Sequence, residues 1–376
     1  MKKLLIAILS ISILFTACNQ KHTEETKKQI VTIGALLPLT GKFATYGNYM
    51  KQGLEVAYDD AVKNKTINPA YVKLVIEDVK IDPKLAINAY MKLKSTTNLV
   101  AVFPVTSACT LAIKPLSNKD KIVMINTTAI SASIEDSDDY SYSVLSDAKL
   151  ISKYLIKFSN KLGKKKAAVI YRDDASGLSI KNEFTRQFEQ AGGKIVLAEA
   201  NKPSSFEFKN TISKLKSLDA DLVIVASFGT ETAKYLNQAK ELNYSNQVMT
   251  YETFYSQKAL DEAKGNAEGI IFPVPQFDVG AKGGSVEKLR AKIKEKYGND
   301  KMVFYTASMY DGLGLVFSAI ENKNYSAVKI RDYIDSLKSY DGITGEMKFR
   351  EDGGIDTELI ETTVENGKFT KKSRVH

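Results

Sequence analysis

The chain has 376 residues, 44% hydrophobic and 26% charged, with a formal net charge of +9; that is ordinary for a globular protein and enough for two domains with separate cores. Basic and acidic residues are interspersed, so no nucleic-acid partner is expected and runs such as Lys164 to Lys166 read as solvated surface. The two histidines, His22 and His376, lie near the ends, which excludes Ser-His-Asp or Cys-His catalysis and His-ligated metal sites from the folded body.

The first 18 residues carry a targeting pattern. Met1-Lys2-Lys3 is positive, Leu4 to Phe15 is apolar but too short to span a bilayer, and Thr16-Ala17 supplies small residues before Cys18. This resembles a bacterial lipobox, with Phe15 where Leu is usual. The resemblance implies a signal peptide over 1–17 and acylation of Cys18, tethering an extracytoplasmic protein to a membrane without inserting it. Residues 18–29 then read as a polar, flexible tether. Cys109 remains as a single cysteine with no partner for an internal disulfide.

Ile30 to Leu37 is almost wholly apolar and β-branched, as in a strand buried on both faces. Pro38 to Gly47 reads as a loop, and Met50, Leu54, Ala57, Tyr58 and Ala61 recur at helical spacing. Strand Val72 to Glu77, helix Pro83 to Lys94, strand Leu99 to Phe103, a helix from Ser107 and strand Ile122 to Ile125 follow. After Asp147 the alternation repeats: strands Ala167 to Tyr171, Ile195 to Ala198, Leu222 to Ala226 and Gln247 to Thr250, with helices Ile180 to Ala191, Phe208 to Leu218 and Glu231 to Leu242 between them. Such alternation predicts parallel sheets covered by helices. Ile270 to Phe272 together with the proline-containing Pro273-Val274-Pro275 reads as a further strand leading into a crossover, before helices Ser285 to Tyr297, Thr306 to Glu321 and Val328 to Leu337. From Gly342 the tail changes to glycine turns and short alternating strands.

The stretch Ala101 to Ala112 (AVFPVTSACTLA) runs from strand to helix N-terminus. Unpaired backbone N–H groups and the helix dipole there suit a carboxylate or phosphate, although Ser and Thr are also ordinary N-caps.

Four segments then carry a family resemblance: IGALLPLTGKFATYGNYMKQG from Ile33, PVTSACTLAIKPL from Pro104, FEFKNTISKLKSLDADLVIVA from Phe206, and YDGITGEMKFREDGG from Tyr340. The chain resembles type I periplasmic binding proteins, and among them the branched-chain amino-acid (Leu/Ile/Val) binding proteins of ABC transporters. The resemblance implies an α/β fold of two Rossmann-like lobes with parallel central sheets, joined by three hinge crossings near Ser146, Phe272 to Pro275, and Gly342 to Met347. Lobe 1 is expected over 30–146 and 276–341, and lobe 2 over 147–275 and 342–376. It further implies a monomer that closes on ligand, uses no cofactor, and delivers to an ABC permease and its ATPase.

Site residues follow from the same resemblance. Ser107 with the backbone of Val105 and Thr106 corresponds to the α-carboxylate seat, and Thr128 and Ala129 to a second backbone contact. Tyr46 corresponds to an aromatic overhanging the ligand, Phe228 to one packing on it from the other lobe, and Glu252 to the acid that pairs with an α-ammonium. Two positions depart from the pattern: Ile130 replaces a Thr, removing a hydroxyl from the ligand contacts, and Ser176 replaces a Tyr, opening space for another solute.

Two other functions compete. One is a sensor of the same fold that signals to a membrane partner, with an amide, aromatic or other anion as ligand. The other is an enzyme, for which Gly312-Leu313-Gly314 is a fragment of a nucleotide loop in a helix-like stretch, and adjacent acids Asp59-Asp60, Asp138-Asp139 and Asp173-Asp174 read as surface charges.

Overall fold

The structure, a computed structural model, describes residues 30–321 and 325–372. The expected signal peptide, Cys18 and the whole of the expected tether lie outside the described residues. Strand β1 (Val31–Leu37), buried along its whole length, is followed by α1 (Ala44–Lys63), β2 (Val72–Asp78), α2 (Pro83–Thr96), β3 (Leu99–Phe103), α3 (Ser107–Asp120), β4 (Val123–Asn126) and β5 (Ser141–Ser143). These strands form one sheet in the order β2-β1-β3-β4-β5, with every ladder parallel. Continuous apolar strands fit this arrangement because helices cover both faces.

The second series contains α4 (Ala148–Lys161), β6 (Lys166–Arg172), α5 (Ala175–Gln190), β7 (Lys194–Asn201), α6 (Lys209–Lys216), β8 (Leu222–Ala226), α7 (Gly229–Glu241), β9 (Gln247–Met249), α8 (Gln257–Glu262) and β10 (Ile271–Pro275). A single 3-10 turn, Glu252–Phe254, follows β9. The chain then returns to the first core through α9 (Gly284–Tyr297), α10 (Phe304–Glu321) and α11 (Ala327–Ser336). It ends in β11 (Ser339–Gly342), β12 (Gly345–Phe349), β13 (Ile355–Asp356), β14 (Leu359–Glu365) and β15 (Lys368–Lys371). The second sheet runs β15-β14-β10-β9-β8-β6-β7. Its parallel part ends at β10, which pairs with β14 antiparallel. Both Pro273 and Pro275 lie within β10, beyond the point where its pairing with β9 stops at Ile271, so neither is needed as a donor to β9.

Two differences from the sequence reading concern boundaries near the cleft. Helix α1 starts at Ala44, so Tyr46 and Gly47 are helical and not loop. Helix α5 starts at Ala175, because Asp174 caps it by accepting from the Ser176 and Gly177 amides, both at 3.0 Å.

A third difference is a correction to the hinge. Gly342 to Met347 is not a crossing: β11, β12 and β13 form their own small sheet, and Met347 and Ile355 are buried in the first core. The chain leaves for the second sheet only between Asp356 and Leu359. The misassignment has a physical source, since a hairpin's alternation shows that one face is buried but not which core buries it. A clasp lies beside the crossings. Asp147, which caps α4 through the Leu150 amide at 2.8 Å, also accepts from Arg350 Nη2 at 2.6 Å.

Two close approaches fix the first lobe. A Cβ on Gly53 would lie 2.1 Å from the Thr306 carbonyl oxygen, so α1 and α10 cross with backbone nearly in contact. Asp311, 1% exposed, accepts from the Ile343 and Thr344 amides at 2.7 and 2.9 Å and from the Thr344 hydroxyl at 2.7 Å. It thereby pins the turn between β11 and β12 to α10. Replacing it (Asp311→Ala) strands three donors, each hydrogen bond worth about 1 kcal/mol, and should destabilise the protein by about 3 kcal/mol in urea unfolding; a loss within experimental error would remove this anchoring role.

Candidate ligand-binding cleft

Both sheets reverse their strand order once within the parallel part, the first between β1 and β3 and the second between β6 and β8. Ligands of open α/β sheets bind outside the carboxyl ends of the strands at such switch points. The loops concerned are those after β1 and β3 in the first lobe, leading to Tyr46 and Ser107, and those after β6 and β8 in the second, leading to Ser176 and Phe228.

In the first lobe, Thr106 stands at φ 60°, ψ 150° immediately before α3. A β-branched residue rarely adopts positive φ, and such strain costs about 1–3 kcal/mol and gathers at ligand sites. The strained peptide is held by Thr128, whose hydroxyl accepts the Thr106 N–H at 3.1 Å, and by the Thr106 carbonyl, which accepts from the Thr110 amide and hydroxyl at 3.0 and 2.8 Å. No side chain caps α3. Its N-terminus therefore presents a partial positive charge with the Ser107 hydroxyl beside it.

Ser107 and Ser176 meet across the cleft, the Ser176 hydroxyl lying 3.4 Å from Ser107 Oγ. Val105 and Ala129 are brought to the same loops, but their side chains are buried in the first core. The Ala129 amide and carbonyl are both engaged by Asn126, at 2.8 and 2.7 Å. Ile130 requires a correction. It does not line the cleft as a missing hydroxyl; its side chain, 4% exposed, is buried in the second core, and its carbonyl accepts the Ala148 N–H at 2.7 Å. An apolar side chain at that place is required by packing.

The second lobe offers the opposite polarity. Glu252, at the carboxyl end of β9, has neither ion pair nor side-chain hydrogen bond among the described residues; only its own backbone N–H reaches it, and burial pushes its carboxyl up to about 7. On α10 of the first lobe, the hydroxyl of Tyr305 is pushed up by burial, by Glu252 and by Tyr46. Tyr46 itself is 40% exposed on the first turn of α1. Tyr251, beside Glu252, is also buried and its hydroxyl is pushed well up by that burial.

Phe228 is held by a cluster that the sequence reading missed. The Arg172 guanidinium lies 4.3 Å from the Phe228 ring centroid and pairs with both Asp174 and Glu231. Glu231, 3% exposed, also accepts the Ser204 and Phe228 amides at 2.8 and 3.2 Å. Arg172 is thus consumed in fixing the N-termini of α5 and α7 and in backing the ring. An arginine at a strand end looks like surface in a sequence; the acid three residues into α7 was the available signal. The surface depression between Tyr49, Arg290 and Met302 is lined instead by α1, α9 and the segments flanking α9.

Comparison with known proteins agrees with this fold. A sequence model described as periplasmic binding protein matches residues 30–368. The Leu/Ile/Val-binding protein homolog 7 of Brucella abortus (strain 2308) is 23% identical over 326 residues, covering 82% of this chain and 81% of that protein. Among solved structures, a leucine binding protein from Thermotoga maritima superposes with a TM-score of 0.80 at 21% identity, covering 92% of this chain and 98% of its own. The branched-chain amino acid transporter substrate binding protein of Streptococcus pneumoniae, in complex with isoleucine, gives 0.76 at 22% identity over 92% and 100%. A solute binding protein of R. palustris in complex with benzoate gives 0.76 at 17% identity over 91% and 95%. The chain belongs to the periplasmic binding protein family, in its type I, two-lobed α/β form.

Proposed function

We propose that this protein is the substrate-binding component of an ABC importer and that it captures an amino acid, or a related small solute bearing an amine and a carboxylate, by closing its two lobes. The observation that carries the reading is the opposed polarity of the cleft. A strained, uncapped helix N-terminus with Ser107 occupies one wall, and Glu252, a carboxylate without a cation, stands on the other. A zwitterion satisfies both at once: its carboxylate takes the α3 amides and Ser107, and its ammonium repays the desolvation of Glu252. Thr106, Thr128 and Ser176 frame the carboxylate, and Tyr46, Tyr305 and Phe228 wall the side chain.

The relatives support transport as the biological role, with a permease and an ATPase as partners. The pattern over residues 1–18 supports an extracytoplasmic protein held to a membrane through Cys18. Among the described residues no helix is long and apolar enough to cross a membrane.

The benzoate complex of one structural neighbour favours a second reading, a simple organic anion. Such a ligand gives Glu252 no cation, so Glu252 must bind it protonated. The two readings respond to pH in opposite directions. For an amine-bearing ligand, Glu252 must ionise, and affinity falls about tenfold per unit as pH drops below about 7. For an anion without an amine, affinity rises over the same range.

A thermal-shift screen of protein lacking residues 1–18 against the amino acids should yield a ligand that stabilises the fold by about 2.7 kcal/mol at a hundred times its Kd. A shift with benzoate or a sugar and none with any amino acid contradicts the amino-acid reading. For that amino acid, Glu252→Gln should weaken calorimetric affinity at least tenfold and abolish its pH dependence between 6 and 8; a retained slope assigns the titration elsewhere. Arg172→Met leaves the Asp174 and Glu231 carboxylates without their cation. It should cost about 3–5 kcal/mol in urea unfolding of the ligand-free protein, and an unchanged midpoint would show that the cluster does not hold the second wall.

A further inference from the structure

The loop from Asn126 to Ala132 belongs to the first lobe in sequence but is gripped by both. Its near end holds the carboxylate seat: Thr128 accepts from the Thr106 amide, and the Ser131 N–H donates to Ser107 Oγ at 3.3 Å. Its far end enters the second lobe. The Ile130 side chain is buried in the second core, and the Ala132 N–H donates to Ser179 Oγ at 2.9 Å.

These two far contacts differ in what hinge motion does to them. Ile130 bonds to Ala148, two residues past the crossing at Ser146, where displacement on opening is smallest. Ser179 sits in the second turn of α5, remote in sequence from every crossing, on the helix whose first turn brings Ser176 to Ser107. Ser179 is 9% exposed, so its bond to Ala132 is sheltered from water. Another contact between the lobes, Lys42 Nζ to Ser204 Oγ at 3.2 Å, is exposed and is expected to add little.

We propose that Ser179 is a positioning residue for closure: its hydroxyl accepts the Ala132 N–H only when the lobes are shut, and so locks the loop that forms the carboxylate seat. The inference rests on the reading of this protein as a receptor that binds by lobe closure, and it assigns Ser179 no contact with ligand. A bond made only after closure leaves capture unchanged and slows release. A sheltered hydrogen bond of about 1 kcal/mol corresponds to roughly a fivefold change in the closed population.

The test compares Ser179→Ala and Ser179→Thr with the unaltered protein, using L-leucine as probe and stopped-flow tyrosine fluorescence as signal, since the chain has 19 Tyr and no Trp. Ser179→Ala should raise the dissociation rate constant about fivefold, leave the association rate constant within twofold, and leave the urea midpoint of the ligand-free protein unchanged; Ser179→Thr, which keeps the hydroxyl, should restore slow release. An unchanged dissociation rate, or a fall in stability that Thr does not rescue, overturns the proposal. If L-leucine does not bind the unaltered protein, that result counts against the amino-acid reading, and electron-electron distances between spin labels at Lys84 and Lys209, exposed on the first turns of α2 and α6, decide the matter of Ser179. Ser179→Ala should then shift the distribution toward longer distances, and an identical distribution overturns it.

Discussion

A carboxylate withdrawn from water must find a cation or take up a proton, and in the proposed reading the cleft is organised around Glu252, which has no cation among the described residues. The second lobe shows the contrast within a few residues. Asp174 and Glu231 share Arg172 and a set of backbone amides, so their charge is settled within the fold. Glu252 is left with its own amide alone. Pairing the first two makes the wall rigid; leaving the third unpaired is what makes it receptive in the proposed reading. The ligand-free fold bears a cost for this, because a carboxyl raised to about 7 ionises more readily in the unfolded chain, so stability is lost as pH rises from the ordinary carboxylate range through 7.

The first lobe stores its share as backbone strain. Thr106 is held at positive φ by its neighbours Thr110 and Thr128, and the result is a helix N-terminus aimed at the cleft with no side chain upon it. Preorganisation of this kind lowers the ordering cost at the moment of binding. The loop carrying Thr128 continues into the second lobe through Ile130, so the proposed carboxylate seat is anchored in the lobe that carries Glu252. In the proposed importer, binding and closure are one event, a shape change for a permease to read.

Much of this was legible in the residues. The strand Leu99–Phe103 and the helix starting at Ser107 emerge because an apolar run gives way to helical spacing at a proline. The two switch points follow from the α/β alternation once strand order is known. What stayed hidden depended on contacts distant in sequence. Arg172 has the profile of a solvated strand end until Glu231, 59 residues on, is brought to it. Tyr305 lies in a helix whose apolar face gives no sign that its hydroxyl feels Glu252 and Tyr46. Ile130 looks in the sequence like an absent hydroxyl, although its apolar character reports a burial site in the opposite lobe, and the tail hairpins do not declare their core.

The most direct test is a crystal structure of the protein with the amino acid that stabilises it most. The account predicts a ligand bridging the lobes, its carboxylate on the α3 amides and Ser107 and its ammonium within hydrogen-bond distance of Glu252. A ligand bound in the reverse sense, or one that leaves Glu252 without a cationic partner, would contradict it.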